Sequence, residues 1–160
     1  MRFLIKSNNL ASDLNEDFYS CIEDLLEDDL VQKMKFFKQH CDTNCLEHCI
    51  YVAYFSYAIC KTFGFDFSSA ARGGLLHDLF LYDWRTTKLE KGKHAFRHPQ
   101  IALDNAKTIL ELNVIEQDII KKHMWPLTII PPRYKEAFII CMVDKYCAML
   151  EILDYYINRK

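Results

Sequence analysis

Histidine and aspartate side chains that could bind a metal ion recur along this chain of 160 residues. They are far apart in sequence, and they fall in separate segments of helical periodicity. A helical bundle can aim side chains from several helices at one point, which is how metal sites are built in such folds. The candidate ligands are His48, His77, Asp78, His98, His123 and Asp144.

The mixture of donor atoms indicates what such a site would bind. Imidazole and carboxylate together favour iron, manganese or zinc over magnesium, which prefers oxygen ligands. Six ligands are too many for one tetrahedral ion and suit two open-sided ions that share a carboxylate, so both one and two ions stay open. A divalent ion lowers the pKa of coordinated water toward neutrality and makes hydroxide available as a nucleophile. The donor set therefore indicates hydrolytic chemistry.

Composition predicts one all-α domain with a single core across residues 1–160. Four glycines and four prolines are few for a β-rich fold and favour long helices. Seven cysteines, an odd number without a secretory start, favour reduced thiols and a cytoplasmic location. The chain has no apolar run that could span a membrane, and its net charge of −2 disfavours nucleic acid as an obligate partner.

Apolar spacing and capping signals predict where the first helices lie. An outer helix at about residues 15–37 has apolar residues at three- and four-residue intervals and covers the core. Asn44 and Glu47 have the spacing of a capping box, and Gly64 is a stop signal. His48 therefore lies one turn inside the second helix.

A third predicted helix ends at the adjacent pair His77 and Asp78. Neighbouring residues on a regular helix diverge by about 100°, so this pair can converge only where the helix ends. Residues 80–97 follow, where aromatic, basic and turn residues mix without periodicity. Loops of this length inside a compact domain are usually functional, and we interpret this one as a lid or substrate loop.

Three further helices complete an expected bundle of about five to seven. Pro99 fits the first turn of a helix that has His98 as its cap, and a second capping box opens a helix that ends near His123. The last helix, at about residues 133–157, carries Asp144. We expect its apolar stripe to be buried, and this stripe consists of Phe138, Cys141, Met142, Tyr146, Met149, Leu150 and Leu153.

Five short stretches share an order that is known from one family: a helix His, a His-Asp pair, further His residues and a late Asp. They are Thr-Asn-Cys-Leu-Glu-His at 43–48, Gly-Leu-Leu-His-Asp at 74–78, Arg-His-Pro at 97–99, Lys-Lys-His at 121–123 and Val-Asp-Lys at 143–145. At these positions the chain resembles the HD-domain superfamily of metal-dependent phosphohydrolases. The resemblance covers about residues 40–150 and implies a helical bundle of the HD-domain type.

The resemblance also implies how the ligands are shared. The Gly-x-Gly-Tyr-Pro signature of the branch that cleaves cyclic dinucleotides is absent, so that activity is not favoured. In dinuclear relatives the Asp of the His-Asp pair bridges two ions. By this pattern the first ion is held by His48, His77, Asp78 and Asp144, and the second by Asp78, His98 and His123.

Our leading hypothesis is a metal-dependent phosphohydrolase, either a phosphomonoesterase or a phosphodiesterase. Metal-bound hydroxide would attack the phosphorus of a nucleotide or another small phosphate ester, with His77 and Asp78 at the catalytic centre. Asp83 is a candidate acid for the leaving group, although an ordinary loop turn explains it equally well. The candidate substrate-binding cations are Arg85, Arg97 and Lys145.

Two other readings of the sequence stay open. One is a non-catalytic module that senses a nucleotide or a partner protein, and the other is a structural helical domain whose histidines never meet. His40 and His94 fall outside the matched stretches, and we expect them at the surface or in the substrate loop. The sequence is also compatible with a homodimer.

Overall fold

The structure is a computed structural model that describes residues 16–157. Within these residues it is all-α apart from one small two-stranded sheet, as the sequence predicts. None of the helices in this part of the chain has the length and apolar character needed to cross a membrane. The helices are α1 (Glu16–Leu26), α2 (Asp29–Lys33), α3 (Cys45–Phe63), α4 (Phe67–Leu76), α5 (His94–Ile109), α6 (Val114–Lys122) and α7 (Lys135–Ile157). The antiparallel strands are β1 (Lys38–His40) and β2 (Thr43–Asn44).

The outer helix that is predicted at about residues 15–37 is divided in two, and residue 15 lies outside the described residues. Asp28 has an extended backbone, and its carboxylate accepts hydrogen bonds from the backbone N–H groups of Leu30 and Val31. It therefore caps a new helix, α2, where an uninterrupted helix is predicted. A 3₁₀ turn at Met34–Phe36 follows. The first part still covers the core through Phe18, Ile22 and Leu25.

Capping residues lie at the ends of the central helices where the sequence predicts them, although of the two predicted capping boxes only the one at Asn113 has both hydrogen bonds. The Asn44 side chain accepts a hydrogen bond from the backbone N–H of Glu47 at 3.0 Å and opens α3. Gly64 ends this helix in the left-handed conformation with φ of 68°. Asn113 and Glu116 form a complete capping box at the start of α6. These caps set the positions of α3 and α6 along the bundle.

Helices α3 and α4 pack closely at Gly74. A Cβ atom at this position would lie 2.8 Å from the Cα of Ala53, so the contact requires glycine. The close approach brings the end of α4 next to the start of α3. As a result, the ring centroids of His48 and His77 are 5.6 Å apart.

The start of α5 differs from the prediction. The helix begins at His94, not at Pro99, so His98 lies inside the helix and the preceding loop covers residues 77–93. The additional turn is held by aromatic stacking. The ring of His94 stacks on that of His98 with centroids 4.5 Å apart and on that of Trp84 at 5.4 Å.

The prediction of which face of α7 is buried is wrong for most of its residues. Cys141 is buried as expected and Leu150 is partly buried, but the other side chains predicted to be core are 47–54 % exposed: Phe138, Met142, Tyr146, Met149 and Leu153. The helix is apolar on both sides, so periodicity alone does not identify the inner one. The inner face combines small or β-branched residues with two carboxylates: Glu136, Ala137, Ile140, Cys141, Val143, Cys147 and Glu151.

Candidate metal centre

The first group of predicted ligands converges between α3, α4 and α7. Nε2 of His48 lies 3.0 Å from Oδ1 of Asp144. Nε2 of His77 lies 3.7 Å from that same oxygen and 3.5 Å from Oδ2 of Asp78. Donor atoms of His48, His77 and Asp78 all lie within 4.8 Å of one another. This spacing allows His48, His77 and Asp78 to share one cation, with Asp144 next to both imidazoles.

The second group converges on the other oxygen of the same aspartate. Oδ1 of Asp78 lies 3.1 Å from Nε2 of His98 and 3.3 Å from Nε2 of His123. The two imidazole nitrogens are 2.7 Å apart. Asp78 therefore faces one cluster with each carboxylate oxygen, which is the geometry of a bridging ligand.

Five separate helices, α3 to α7, deliver these side chains. The pair His77 and Asp78 sits where α4 ends, with His77 as the C-terminal cap, so the chain turns and both side chains can face the cluster. His123 is likewise the C-terminal cap of α6. Both placements agree with those predicted from the sequence.

Hydrogen bonds fix which nitrogen of each imidazole faces the cluster. Nδ1 of His77 contacts the carbonyl oxygen three residues earlier at 2.7 Å, and Nδ1 of His123 does the same at 2.9 Å. Nδ1 of His98 contacts the carbonyl four residues earlier at 3.0 Å, and Nδ1 of His48 contacts Oε1 of Glu151 at 2.9 Å. Because each acceptor lacks a proton, each Nδ1 must be the donor. In the neutral rings, all four Nε2 atoms therefore present lone pairs to the cluster.

This arrangement fits a divalent cation. If both rings are neutral and protonated at Nδ1, the Nε2 lone pairs of His98 and His123 oppose each other at 2.7 Å, and a cation bound by both nitrogens removes that repulsion. Nε2 of His77 and Oδ1 of Asp78 are buried without a hydrogen-bond partner. Buried polar atoms without partners are costly, and coordination would satisfy them.

The charges of the cluster are strongly coupled. Burial opposes ionisation of Asp78, but His77 and His98 outweigh it and hold the pKa of this carboxyl well below its usual value. Burial likewise opposes protonation of His48, but Asp144 and Glu151 outweigh it and raise the pKa of this imidazole. Burial also opposes ionisation of Asp144, but hydrogen bonds from His48 and His77 outweigh it and hold the pKa of this carboxyl below its usual value. Asp78 and Asp144 are therefore ionised at neutral pH and available to a cation.

Two residues that support the cluster are missed by the sequence analysis. Glu151 lies behind His48, and Gln39 on β1 donates a hydrogen bond from its amide to Oδ2 of Asp78. Glu151 follows Asp144 by seven residues, and this spacing places both carboxylates on one face of α7. The spacing is visible in the sequence and could have identified Glu151. Gln39 is distant in sequence from every ligand, and we find no sequence signal for it.

The two remaining histidines lie next to the cluster. The ring of His40 is 5.3 Å from that of His48, and Nδ1 of His94 accepts or donates a hydrogen bond with the Tyr82 hydroxyl at 2.9 Å. Burial, followed by the charge of His98, lowers the pKa of His94 to about 4. His94 is thus neutral at physiological pH. It connects the loop at residues 77–93, through Tyr82, to the second group of ligands, through His98.

Lys145 lies at the edge of the cluster. Its Nζ donates to the carbonyl oxygens of His123 at 3.1 Å and Cys141 at 3.0 Å, and it is 4.0 Å from Oδ2 of Asp144. The side chain of Asp144 is 14 % exposed, whereas that of Asp78 is 4 % exposed. The cluster is therefore most open to solvent on the side of Asp144 and Lys145.

The other candidate residues in the loop bond to each other instead of to the cluster. Asp83 accepts hydrogen bonds from the backbone N–H of Arg85 at 3.0 Å and from its Nε at 3.2 Å. These bonds lower the pKa of Asp83, so it lacks a proton to give to a leaving group at neutral pH. The geometry matches the loop turn that the sequence allows as the alternative. Arg97 is exposed on α5.

Comparison with known families agrees with this geometry. The family model of the HD domain matches residues 45–149, a stretch that contains all six predicted ligands. The chain therefore belongs to the HD-domain family, and this family indicates the superfamily of metal-dependent phosphohydrolases. No curated protein and no solved structure matches the chain.

Proposed function

We propose that this protein is a metal-dependent phosphohydrolase that cleaves a nucleotide or another small phosphate ester. The observation that carries the proposal is the shared carboxylate of Asp78, which faces His77 with one oxygen and His98 and His123 with the other. Two buried groups of donors that meet at one carboxylate suit a pair of ions better than a structural site with four ligands.

The proposed ligands divide into two sets. His48, His77 and Asp144, with Asp78, would hold one ion, and His98 and His123 would complete a second. Iron, manganese or zinc fits this mixture of imidazole and carboxylate. When bound, such an ion supplies Lewis acidity, which makes water more acidic and neutralises the charge of phosphoryl oxygens.

The protein side chains then position the reactants. The hydrogen bonds at each Nδ1 keep the imidazoles oriented, and the neighbouring apolar core excludes water from the far side of the cluster. The opening beside Asp144 is where a phosphate ester would approach, and Lys145 at that edge would meet its charge. Arg85 and Arg97 are proposed to contact more distant parts of the substrate. A cytoplasmic location, which the odd number of cysteines favours, belongs to the same proposal.

The test is hydrolysis of a panel of nucleotides and generic phosphomonoesters and phosphodiesters by the purified chain loaded with manganese, iron or zinc. We expect turnover that falls at least about 10³-fold in His77→Ala and Asp78→Asn. Asp104→Asn, which changes an exposed carboxylate on α5, is the matched control and keeps full activity.

Absence of turnover with every metal and ester would contradict the proposal. Tight nucleotide binding by the loaded protein without product would instead favour the non-catalytic sensing module. Activity that survives in Asp78→Asn would show that hydrolysis arises elsewhere, including in a contaminant.

A further inference from the structure

The outward face of α7 carries an apolar stripe. It consists of Met142, Tyr146, Met149, Leu153 and Tyr156, which are 48–67 % exposed. The intervals between them alternate between four and three residues, which gives a period of 3.5. This period keeps a row of side chains directed at a partner helix along the whole contact. The spacing thus matches that of a helix whose second face also packs.

The area of this surface is large for a monomer. Phe138, Ile152 and Ile157 extend the stripe, and the eight side chains are 40–71 % exposed. If a large apolar side chain offers roughly 200 Å², they present on the order of 800 Å². The largest apolar patch on a typical monomer is about 300–600 Å². Stable interfaces bury about 800 Å² per partner, which is the same order as the apolar area that this face exposes.

The stripe is also suited to a copy of itself because it lacks charge. None of its side chains is charged. Lys145, which precedes Tyr146, is 42 % exposed, and its Nζ is bound to carbonyl oxygens of its own chain, those of His123 and Cys141. A two-fold interface places the same surface on both sides, so a charged residue at its centre would face the same charge on the second copy. A neutral stripe avoids that cost and permits self-association.

We propose that two copies of this chain pair through α7 in an antiparallel arrangement. In this register Met142 packs against Leu153 of the second copy and Tyr146 against Met149 of the second copy, so every layer is apolar. Antiparallel packing also aligns the helix dipoles favourably. It keeps Lys135, at the start of α7, away from its equivalent in the second copy.

The proposed dimer is independent of the metal chemistry. The inner face of α7 carries Asp144 and Glu151, and the outer face carries the stripe. A change on the outer face can therefore remove association while the ligands stay in place. Metal content consequently serves as a check of folding in each variant.

Sedimentation velocity over a range of micromolar concentrations tests the proposal. We expect the full chain to sediment at twice its monomer mass of 19.0 kDa. Tyr146→Glu and Met149→Lys each place a charge in a central layer and should weaken association at least about 100-fold. The control is Ile129→Glu, which changes a 95 % exposed isoleucine outside α7 and leaves the dimer intact.

Combining the two substitutions tests the register. In the antiparallel arrangement the introduced glutamate at 146 faces the introduced lysine at 149 of the second copy, so the double variant regains the dimer, now in a salt-sensitive form. A parallel arrangement sets like charges together and leaves the double variant monomeric.

Three results would overturn the proposal. The first is a monomeric wild type, which is the result expected if residues 1–15 of the same chain cover the stripe. The second is a dimer that persists in Tyr146→Glu. The third is a double variant that stays monomeric. Circular dichroism and metal content check that each variant folds. If Tyr146→Glu unfolds, hydrogen exchange in the wild type replaces it, because residues 142–153 must become more protected as concentration rises.

Discussion

Glu151 accepts a hydrogen bond from Nδ1 of His48 at 2.9 Å, and both side chains are almost completely buried. Nε2 of the same imidazole lies 3.0 Å from Asp144. A carboxylate behind a ligand histidine fixes its tautomer and makes the coordinating nitrogen more basic. Glu151 therefore acts on the metal centre through His48 and is a positioning residue.

Removal of this charge should weaken metal binding. In Glu151→Gln the amide can still accept the hydrogen bond, but the negative charge that increases the basicity of His48 is lost. We expect a decrease of about 10–100-fold in the affinity of the first ion. Titration of the metal-free protein with Zn²⁺ or Mn²⁺ measures this directly.

A buried carboxylate elsewhere on the same helix provides the control. Glu136 accepts a hydrogen bond from the backbone N–H of Asp66 at 3.0 Å and contacts none of the predicted ligands. Glu136→Gln is expected to lower stability while the metal affinity stays unchanged. Equal losses of affinity in both variants would show a general effect of buried charge and would contradict the role of Glu151.

The placement of the ligands could be predicted from sequence because each depends on a local signal. Asn44 and Asn113 cap their helices through hydrogen bonds within one turn, so their effects are visible in the sequence. The end of α4 at His77 follows from the loss of periodicity beyond it. Asp28, by contrast, is one of several acidic residues in the outer helix, and nothing local distinguishes it as a cap.

Features that depend on tertiary packing could not be predicted in the same way. α7 is apolar on two faces, and its inner face is selected by the fit of small residues against α3 and by the metal ligands. Gln39 reaches Asp78 only because the short sheet folds over the cluster. The earlier start of α5 depends on stacking between His94, its first residue, and Trp84, which lies within the preceding loop.

Removal of metal should destabilise the fold. Without a cation, the lone pairs of His98 and His123 and the carboxylate of Asp78 are held together at close range. Metal at 100 times its Kd adds about 2.7 kcal/mol, and we therefore expect chelation to lower Tm by about 5–10 °C. The double variant His77→Ala and Asp78→Asn should show no response to chelator. An unchanged wild-type Tm after verified metal removal would contradict a coordinated site.

The contact at Gly74 should be sensitive to a single methyl group. Gly74→Ala places a Cβ 2.8 Å from the Cα of Ala53, and backbone cannot move aside easily, so we expect a loss of about 1–3 kcal/mol. Gly73 is the matched control, because the three atoms nearest to a Cβ there belong to the side chain of Ile119, at 2.8–3.1 Å, and not to the backbone. Better helix propensity partly offsets that clash. Urea denaturation measures the free energy of unfolding of the two variants. An equal loss of stability in both would show that the backbone contact between Gly74 and Ala53 is not the limiting one.

Arg72 anchors α1 to α4. Its guanidinium donates two hydrogen bonds to the carboxylate of Asp24, at 2.7 and 2.9 Å. These bonds lower the pKa of Asp24 below its ordinary value of 3.8. A carboxyl with a lowered folded pKa adds stability that is complete above the unfolded pKa and is lost as pH falls through the folded one.

Asp24→Asn should therefore destabilise the protein at neutral pH but not in acid. The Asp24 side chain is 58 % exposed, so solvent screening limits the effect to at most about 1 kcal/mol. Urea denaturation of metal-free protein between pH 7 and pH 3 measures the difference from wild type, which should shrink once pH falls below 3.8. Asp104→Asn is the control, since its carboxylate contacts the neutral amide of Gln100 and not a guanidinium. A difference for Asp24→Asn that stays constant with pH would mean that the pair contributes through packing of Arg72 and not through charge.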